Sequence, residues 1–144
     1  MSAIDFAAAF VRQFEGCQLQ AYADVGGVQT IGVGHTGPEV HEGLIWTDYQ
    51  AEQAFLSDLK HALNEAQKAV SVALTDRQWA AVISFVFNLG AGAFRGSTLC
   101  RLINQSKFID AAKQFPLWDH VDGEESKGLL RRRFSEAALF LEGT

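Results

Sequence analysis

Residues 15–37 read EGCQLQAYADVGGVQTIGVGHTG. Two short β-prone runs, Leu19 to Tyr22 and Val28 to Ile31, flank a reversal at Val25-Gly26-Gly27-Val28. Hydrophobic and polar residues alternate on either side of a glycine pair, the pattern of a β-hairpin. Gly32, Gly34 and Gly37 mark further bends or close backbone approaches. The stretch 18–36 therefore predicts a small antiparallel sheet of two or three short strands. An isolated hairpin is only marginally stable, so this one must lean on a helix. Glu15 stands just before it and Asp24 inside its turn. Fully extended, the chain between them could span about 30 Å, so only a fold that bends back can bring the two acids together.

Helical periodicity dominates outward from this point. On the N-terminal side Ile4, Ala7, Ala8, Val11 and Phe14 recur at helical spacing, with Phe6 and Phe10 widening the stripe. This predicts a helix over 3–14 that stops at Gly16 and leaves Glu15 at its end. On the C-terminal side Thr47 with Gln50 has the form of a capping box and opens a long helix over about 47–69. Phe55, Leu56, Leu59, Ala62, Leu63, Ala66 and Val70 form its apolar face. Thr75 with Gln78 repeats the signal and opens a helix through Trp79 to Leu89. That helix is apolar on nearly every face, hence central, and Gly90 ends it. Short helices are expected at Ala93-Phe94, Ser97 to Ile103 and Lys107 to Phe115, with Pro116 closing the run. A polar loop over 119–126 and a last helix over about 127–141 complete the chain. The pattern is mostly helical with one small sheet, an α+β class, and shows no internal repeat.

The 144 residues suit a single domain, and 48% hydrophobic with 20% charged residues argues for a folded core. Net charge is −5, which excludes a strong pull towards nucleic acid. Residues 1–46 are acidic, and Arg131, Arg132 and Arg133 form the one basic cluster. Cys17 and Cys100 are far apart in sequence and lack zinc-site spacing; two buried free thiols are expected rather than a disulfide. No metal or cofactor is implied. The N-terminus lacks the basic-then-apolar form of a signal peptide, and no membrane anchor is expected.

Taken one at a time, the polar residues have plain readings. Glu15 is a solvated helix end, Asp24 a turn residue, Thr30 a good β-former and His35 a structural histidine. Ser97-Thr98 reads as a helix cap before a nucleophile pair. No nucleophile elbow and no phosphate loop is present. Arg131 to Arg133 could meet an anionic substrate, although an Arg132–Glu136 pair at i,i+4 on the last helix is the simpler reading. Trp79 and Trp118 read as core, with Trp118 also placed to line a cleft.

Read together, these residues resemble the phage-type lysozymes, the endolysins of glycoside hydrolase family twenty-four. The resemblance rests on Glu15-Gly16, Leu19, Ala21-Tyr22, Asp24, Gly27 and Thr30-Ile31-Gly32-Val33-Gly34-His35-Thr36, with matching intervals from Glu to Asp to Thr. It continues through Leu74-Thr75-Asp76-x-Gln78, Ser84-Phe85-x-Phe87-Asn88-x-Gly90 and Phe94-x-x-Ser97-Thr98-Leu99. It resumes at Trp118, Gly123, Gly128-Leu129, Arg132-Arg133 and Glu136, and so covers almost the whole chain.

The resemblance implies a two-lobed lysozyme fold with a cleft between the lobes. Residues of about 15–60 would form the small lobe with the sheet, and about 70–144 plus the N-terminal helix the helical lobe. It implies a muramidase cutting the β-1,4 bond between N-acetylmuramic acid and N-acetylglucosamine in peptidoglycan. The catalytic set carried over is Glu15, Asp24 and Thr30. Glu15, shielded by the fold, would protonate the leaving oxygen. Asp24 would stabilise positive charge on the sugar and help activate a water held by Thr30, with inversion at the anomeric carbon. His35 is implied to be structural, oriented by an Asp of the helical lobe, and Arg132 and Glu136 to brace the last helix.

The expected setting is a monomer made in the host cytoplasm and released to the wall through a separate holin. One departure stands out. Many members of the family are basic, whereas this chain has a pI near 5.3 and Glu124-Glu125 in its polar loop. That argues against strong, salt-sensitive adsorption to an anionic wall. Three other readings are a lytic transglycosylase, a non-catalytic peptidoglycan-binding domain, and the same chemistry serving a toxin or tail component. Asp24 and Thr30 at the family spacing argue against the first. Three intact residues argue against the second.

Overall fold

The computed structural model describes residues 1–121 and 124–142. The order is α1 (Ala3–Val11), β1 (Gln18–Ala23), β2 (Gln29–Gly32), α2 (Asp48–Ala69), α3 (Asp76–Leu89), α4 (Ala91–Arg95), α5 (Thr98–Asn104) and α6 (Phe108–Ala112). A 3-10 turn at Phe115–Leu117, β3 (His120–Val121), β4 (Glu124–Glu125) and α7 (Lys127–Glu142) follow. The chain is mostly helical with a small antiparallel sheet, as its sequence pattern predicts.

Both capping boxes form. Thr47 accepts from the Gln50 N–H and Gln50 accepts from Thr47; Thr75 and Gln78 do the same for α3. A third box, Ser2 with Asp5, opens α1. The 22 residues of α2 make a rod of about 33 Å. α3 is the central helix, packed by α1, α2 and α7. Ala80 to Ile83 and Phe85 on it are fully buried. Around it Phe94, Phe115, Phe140, Leu59, Leu99 and Ile103 complete the main core. Ile31, Val40 and Ala51 are buried outside that core.

β1 and β2 pair Tyr22 with Thr30 and Ala23 with Gln29, and an irregularity separates these pairs from Gln18 opposite Gly32. The turn closes with the Asp24 N–H on the Val28 carbonyl at 2.9 Å and Gly27 at φ +82°. The third strand-like segment is 44–46. The Ala21 N–H donates to Leu44 and the Trp46 N–H to Leu19, so β1 is covered on both edges.

Several expectations need correction. α1 ends at Val11 rather than Phe14, and Gly16 is not its cap: Arg12 is, and a turn carries the chain on to the Glu15 N–H, bonded to the Val11 carbonyl. Pro116 sits inside the 3-10 turn instead of closing a helix, since a proline needs no N–H at the start of a turn. The expected loop at 119–126 contains β3 and β4, paired His120 to Glu125 and Val121 to Glu124. Asp122 and the motif residue Gly123 lie outside the described residues. Cys100 is buried but Cys17 is exposed, and both are free thiols. No helix among the described residues is long and apolar enough to cross a membrane.

Candidate active site

Glu15 follows the turn after α1. It borders two open hollows. One, of about 460 Å³, is lined by Phe14, Asn88, Ser126, Arg131 and Arg132. The other, of about 560 Å³, is lined by Arg12, Cys17, Val33, Tyr49 and Glu52. The Glu15 side chain is 26% exposed, so the shield expected around it is partial. Its Oε1 accepts from Arg132 Nη1 at 2.7 Å. Beside it Arg12 is paired with Glu52 and lies 5.1 Å over the Phe55 ring.

Asp24 and Thr30 are brought together by the turn between the strands. Asp24 Oδ1 accepts from the Gly26 and Val28 N–H groups, each at 2.8 Å. Thr30 Oγ1 donates to the Val28 carbonyl at 2.9 Å. One peptide-bearing residue, Val28, thus links the exposed carboxylate of Asp24 to the buried hydroxyl of Thr30. The plain reading of Asp24 as a turn residue therefore stands, and it leaves Oδ2 outside the turn's hydrogen bonds. A hydroxyl that donates to a carbonyl keeps lone pairs free to accept from water.

His35 ends the tight 31–35 loop, closed by paired Ile31 and His35 backbone hydrogen bonds at 2.9 Å. Its Nδ1 lies 2.7 Å from Asp58 and its Nε2 2.6 Å from Glu39. Its ring tilts against Trp46 at 5.4 Å. The orienting Asp lies on α2, the connecting helix, and Glu39 is a second partner the sequence did not reveal. Burial pushes the His35 pKa down, but hydrogen bonds and charge from Glu39 and Asp58 outweigh it and the pKa is raised. Gly32 makes the loop possible. Its φ is +65°, and a Cβ there would stand 3.1 Å from the Trp46 ring.

The largest departure from the sequence reading is at the basic cluster. Arg131 is exposed, but Arg132, Arg133 and Glu136 are buried at 4%, 0% and 0%. The Arg132–Glu136 contact is long, 3.6 Å, and is not a surface brace. Glu136 instead accepts from Ser84 Oγ at 2.5 Å and from Arg133 Nη2 at 2.9 Å. Arg133 Nε also lies 2.6 Å from Glu136 Oε1, off the hydrogen-bonding direction. Burial pushes the Glu136 carboxyl up and the Arg133 guanidinium down, and their mutual attraction opposes both shifts. Arg132 reaches away to Glu15. A signal was present: Arg133, Glu136, Ala137 and Phe140 share one helical stripe, which puts a charge pair on an apolar face.

The other candidates resolve simply. Ser97 caps α5, accepting from the Cys100 N–H at 3.0 Å and donating to Phe94 at 2.6 Å. Trp118 packs edge-on to Phe85 at 5.4 Å, and Trp79 packs against the main core. Among the described residues no cluster of His, Cys, Asp and Glu could hold a metal ion.

The profile of the family described as Phage lysozyme matches residues 12–136, which include Glu15, Asp24, Thr30 and Arg132. The chain is 39% identical over 136 residues to an endolysin of Bacillus phage PZA, covering 93% of this chain and 53% of that protein. It is 38% identical over 135 residues to the endolysin of Salmonella phage P22, covering 91% and 92%. The chain spans about half the length of the Bacillus phage endolysins it matches. In structure it is similar to an endolysin from Escherichia coli O157:H7 phage FAHEc1, with a TM-score of 0.88, 30% identity, and coverage of 100% and 96%.

Proposed function

The chain belongs to the phage lysozyme family, and we propose on that basis that it is a glycoside hydrolase acting on bacterial peptidoglycan. The bond cut is the β-1,4 link from N-acetylmuramic acid to N-acetylglucosamine, and the role is lysis of a host cell. Relatives that bear the name endolysin support the role.

The observation that carries the chemistry is the placing of Glu15. It stands at the rim of two hollows with one carboxylate oxygen held by Arg132. Glycoside hydrolysis needs an acid to protonate the leaving oxygen and a carboxylate facing the developing positive charge. Glu15 is the acid. Asp24 is the carboxylate, anchored through Oδ1 in its turn. Thr30, tied to the same Val28, holds the attacking water. Water then attacks the face opposite the leaving group, so the first-formed sugar is inverted. The sheet-bearing stretch of about 15–60 is the small lobe, and about 70–144 with the N-terminal helix is the helical lobe. The protein acts as a monomer on the wall after release from the host cytoplasm, with a holin opening the way.

Loss of turbidity of permeabilised Gram-negative cells tests the acid directly. Glu15→Gln should lose activity by about a thousandfold; a variant that still clears the cells refutes the assignment. Proton NMR of the first-formed anomer tests inversion, and a retained configuration would overturn it.

A further inference from the structure

The guanidinium of Arg132 is engaged on every side but one. Its Nε and Nη2 approach the Ser84 hydroxyl at 3.3 and 3.2 Å, and Nη2 also donates to the Ser84 carbonyl at 3.3 Å. The Phe14 ring lies 5.5 Å from its centre. Nη1 alone is directed at Glu15. The Ser84 hydroxyl has one proton, and it goes to Glu136 Oε2. Its lone pairs therefore face Arg132, which can only donate. Glu136 is fixed in turn by Arg133, fully buried on the same helix. Ser84, Arg132, Arg133 and Glu136 all sit on α3 and α7, the most heavily packed pair in the fold.

An arginine free to rotate grips a carboxylate with two parallel hydrogen bonds, one to each oxygen. Such a fork would occupy both oxygens of Glu15. A general acid needs one oxygen clear, to carry the proton and meet the glycosidic oxygen. Here the Ser84 hydroxyl takes the Nε–Nη2 edge and the Ser84 carbonyl also accepts from Nη2, so Nη1 alone is left for Glu15 and the grip is single. Among the described residues Arg132 is the hydrogen-bond partner of Glu15, at Oε1.

We propose that Ser84, oriented by Glu136, is a positioning residue for the reaction: it holds Nε and Nη2 of Arg132, leaves Nη1 alone for Glu15 and so keeps one oxygen of Glu15 clear for proton transfer. This rests on Glu15 being the acid.

Kinetics on soluble, uncrosslinked glycan strands test it with Ser84→Ala. The kcat should fall about tenfold at unchanged KM, because substrate binding is untouched while the acid is gripped at both oxygens. Wild-type kcat in Ser84→Ala would overturn it. The same test has a second arm that needs no activity. Guanidinium NMR of the wild-type protein should show separate Nη1 and Nη2 signals for Arg132, from hindered rotation. Averaged Arg132 signals in the wild type would also overturn the proposal, and this arm decides alone if Ser84→Ala does not fold. Activity surviving Glu15→Gln removes the acid assignment instead, and leaves the Arg132 spectrum to report on the network separately.

Discussion

Arg132 Nη1 donates to Glu15 Oε1 at 2.7 Å, and the two residues stand 117 positions apart in the chain. The contact ties the last helix to the start of the candidate active-site motif. Arg132→Met keeps the length of the side chain and removes the charge. It leaves Glu15, Ser84 and the buried Glu136 without their shared cation. Stability should fall by about 3 kcal/mol, because a buried charge loses a partner. Activity should fall with it, by about a hundredfold. Thermal unfolding and turbidity assays measure the two effects; a variant as active as the wild type would show the pair to be purely structural.

Asp24 has a turn role in the structure and a proposed catalytic one, and one pair of variants can separate them. In Asp24→Asn the amide oxygen can accept from the same Gly26 and Val28 N–H groups. The turn survives, and stability should change by less than about 0.5 kcal/mol. The negative charge does not survive, so activity should drop by about a hundredfold or more. Asp24→Ala should lose both the turn's hydrogen bonds and the activity. Equal activity in Asp24→Asn and wild type would reduce Asp24 to a turn residue.

His35 gives the protein a pH-dependent tether between the hairpin and α2. Its pKa is raised in the folded state, so its contribution is full below the unfolded value, about 6.5. That contribution is lost as pH rises through the folded value. Glu39, whose pKa is lowered chiefly by its hydrogen bond to His35, works in the opposite sense and weakens the tether as acid protonates it. Stability should therefore decline from about pH 6 towards alkaline pH. His35→Asn should flatten that decline. Denaturant midpoints across the range provide the check, and an unchanged slope in the variant would contradict the role.

Gly32→Ala should destabilise the hairpin loop by about 1–3 kcal/mol. The added methyl meets the Trp46 ring at 3.1 Å and the backbone is held at φ +65°. Gly16→Ala provides the control, since nothing lies within 4 Å of a Cβ there. Chemical denaturation of both variants measures the difference, and equal costs would show that the Trp46 contact is slack.

Much of this fold is local and therefore readable from the chain. The Thr47–Gln50 and Thr75–Gln78 boxes each close over three residues, so the starts of α2 and α3 needed no tertiary information. The near-continuous apolar run in α3 marked the central helix. The end of α1 was misread because its periodicity runs on through Phe14, while the turn at 12–14 serves Glu15 rather than the helix.

The main helices, the hairpin and the motif that carries Glu15, Asp24 and Thr30 are legible in the chain alone. The helices and the hairpin follow from spacings of two to four residues, over which backbone geometry fixes what can meet; the three site residues lie further apart and were legible through the family resemblance. The three-dimensional fold decided who stands beside them. It turned three consecutive arginines into one exposed residue, one partner of Glu15 and one buried counter-charge of Glu136. It also supplied Asp58 and Glu39 to His35. Such pairings depend on which faces α3 and α7 bury against each other. That choice is made by the packing of the whole core, and no local spacing encodes it.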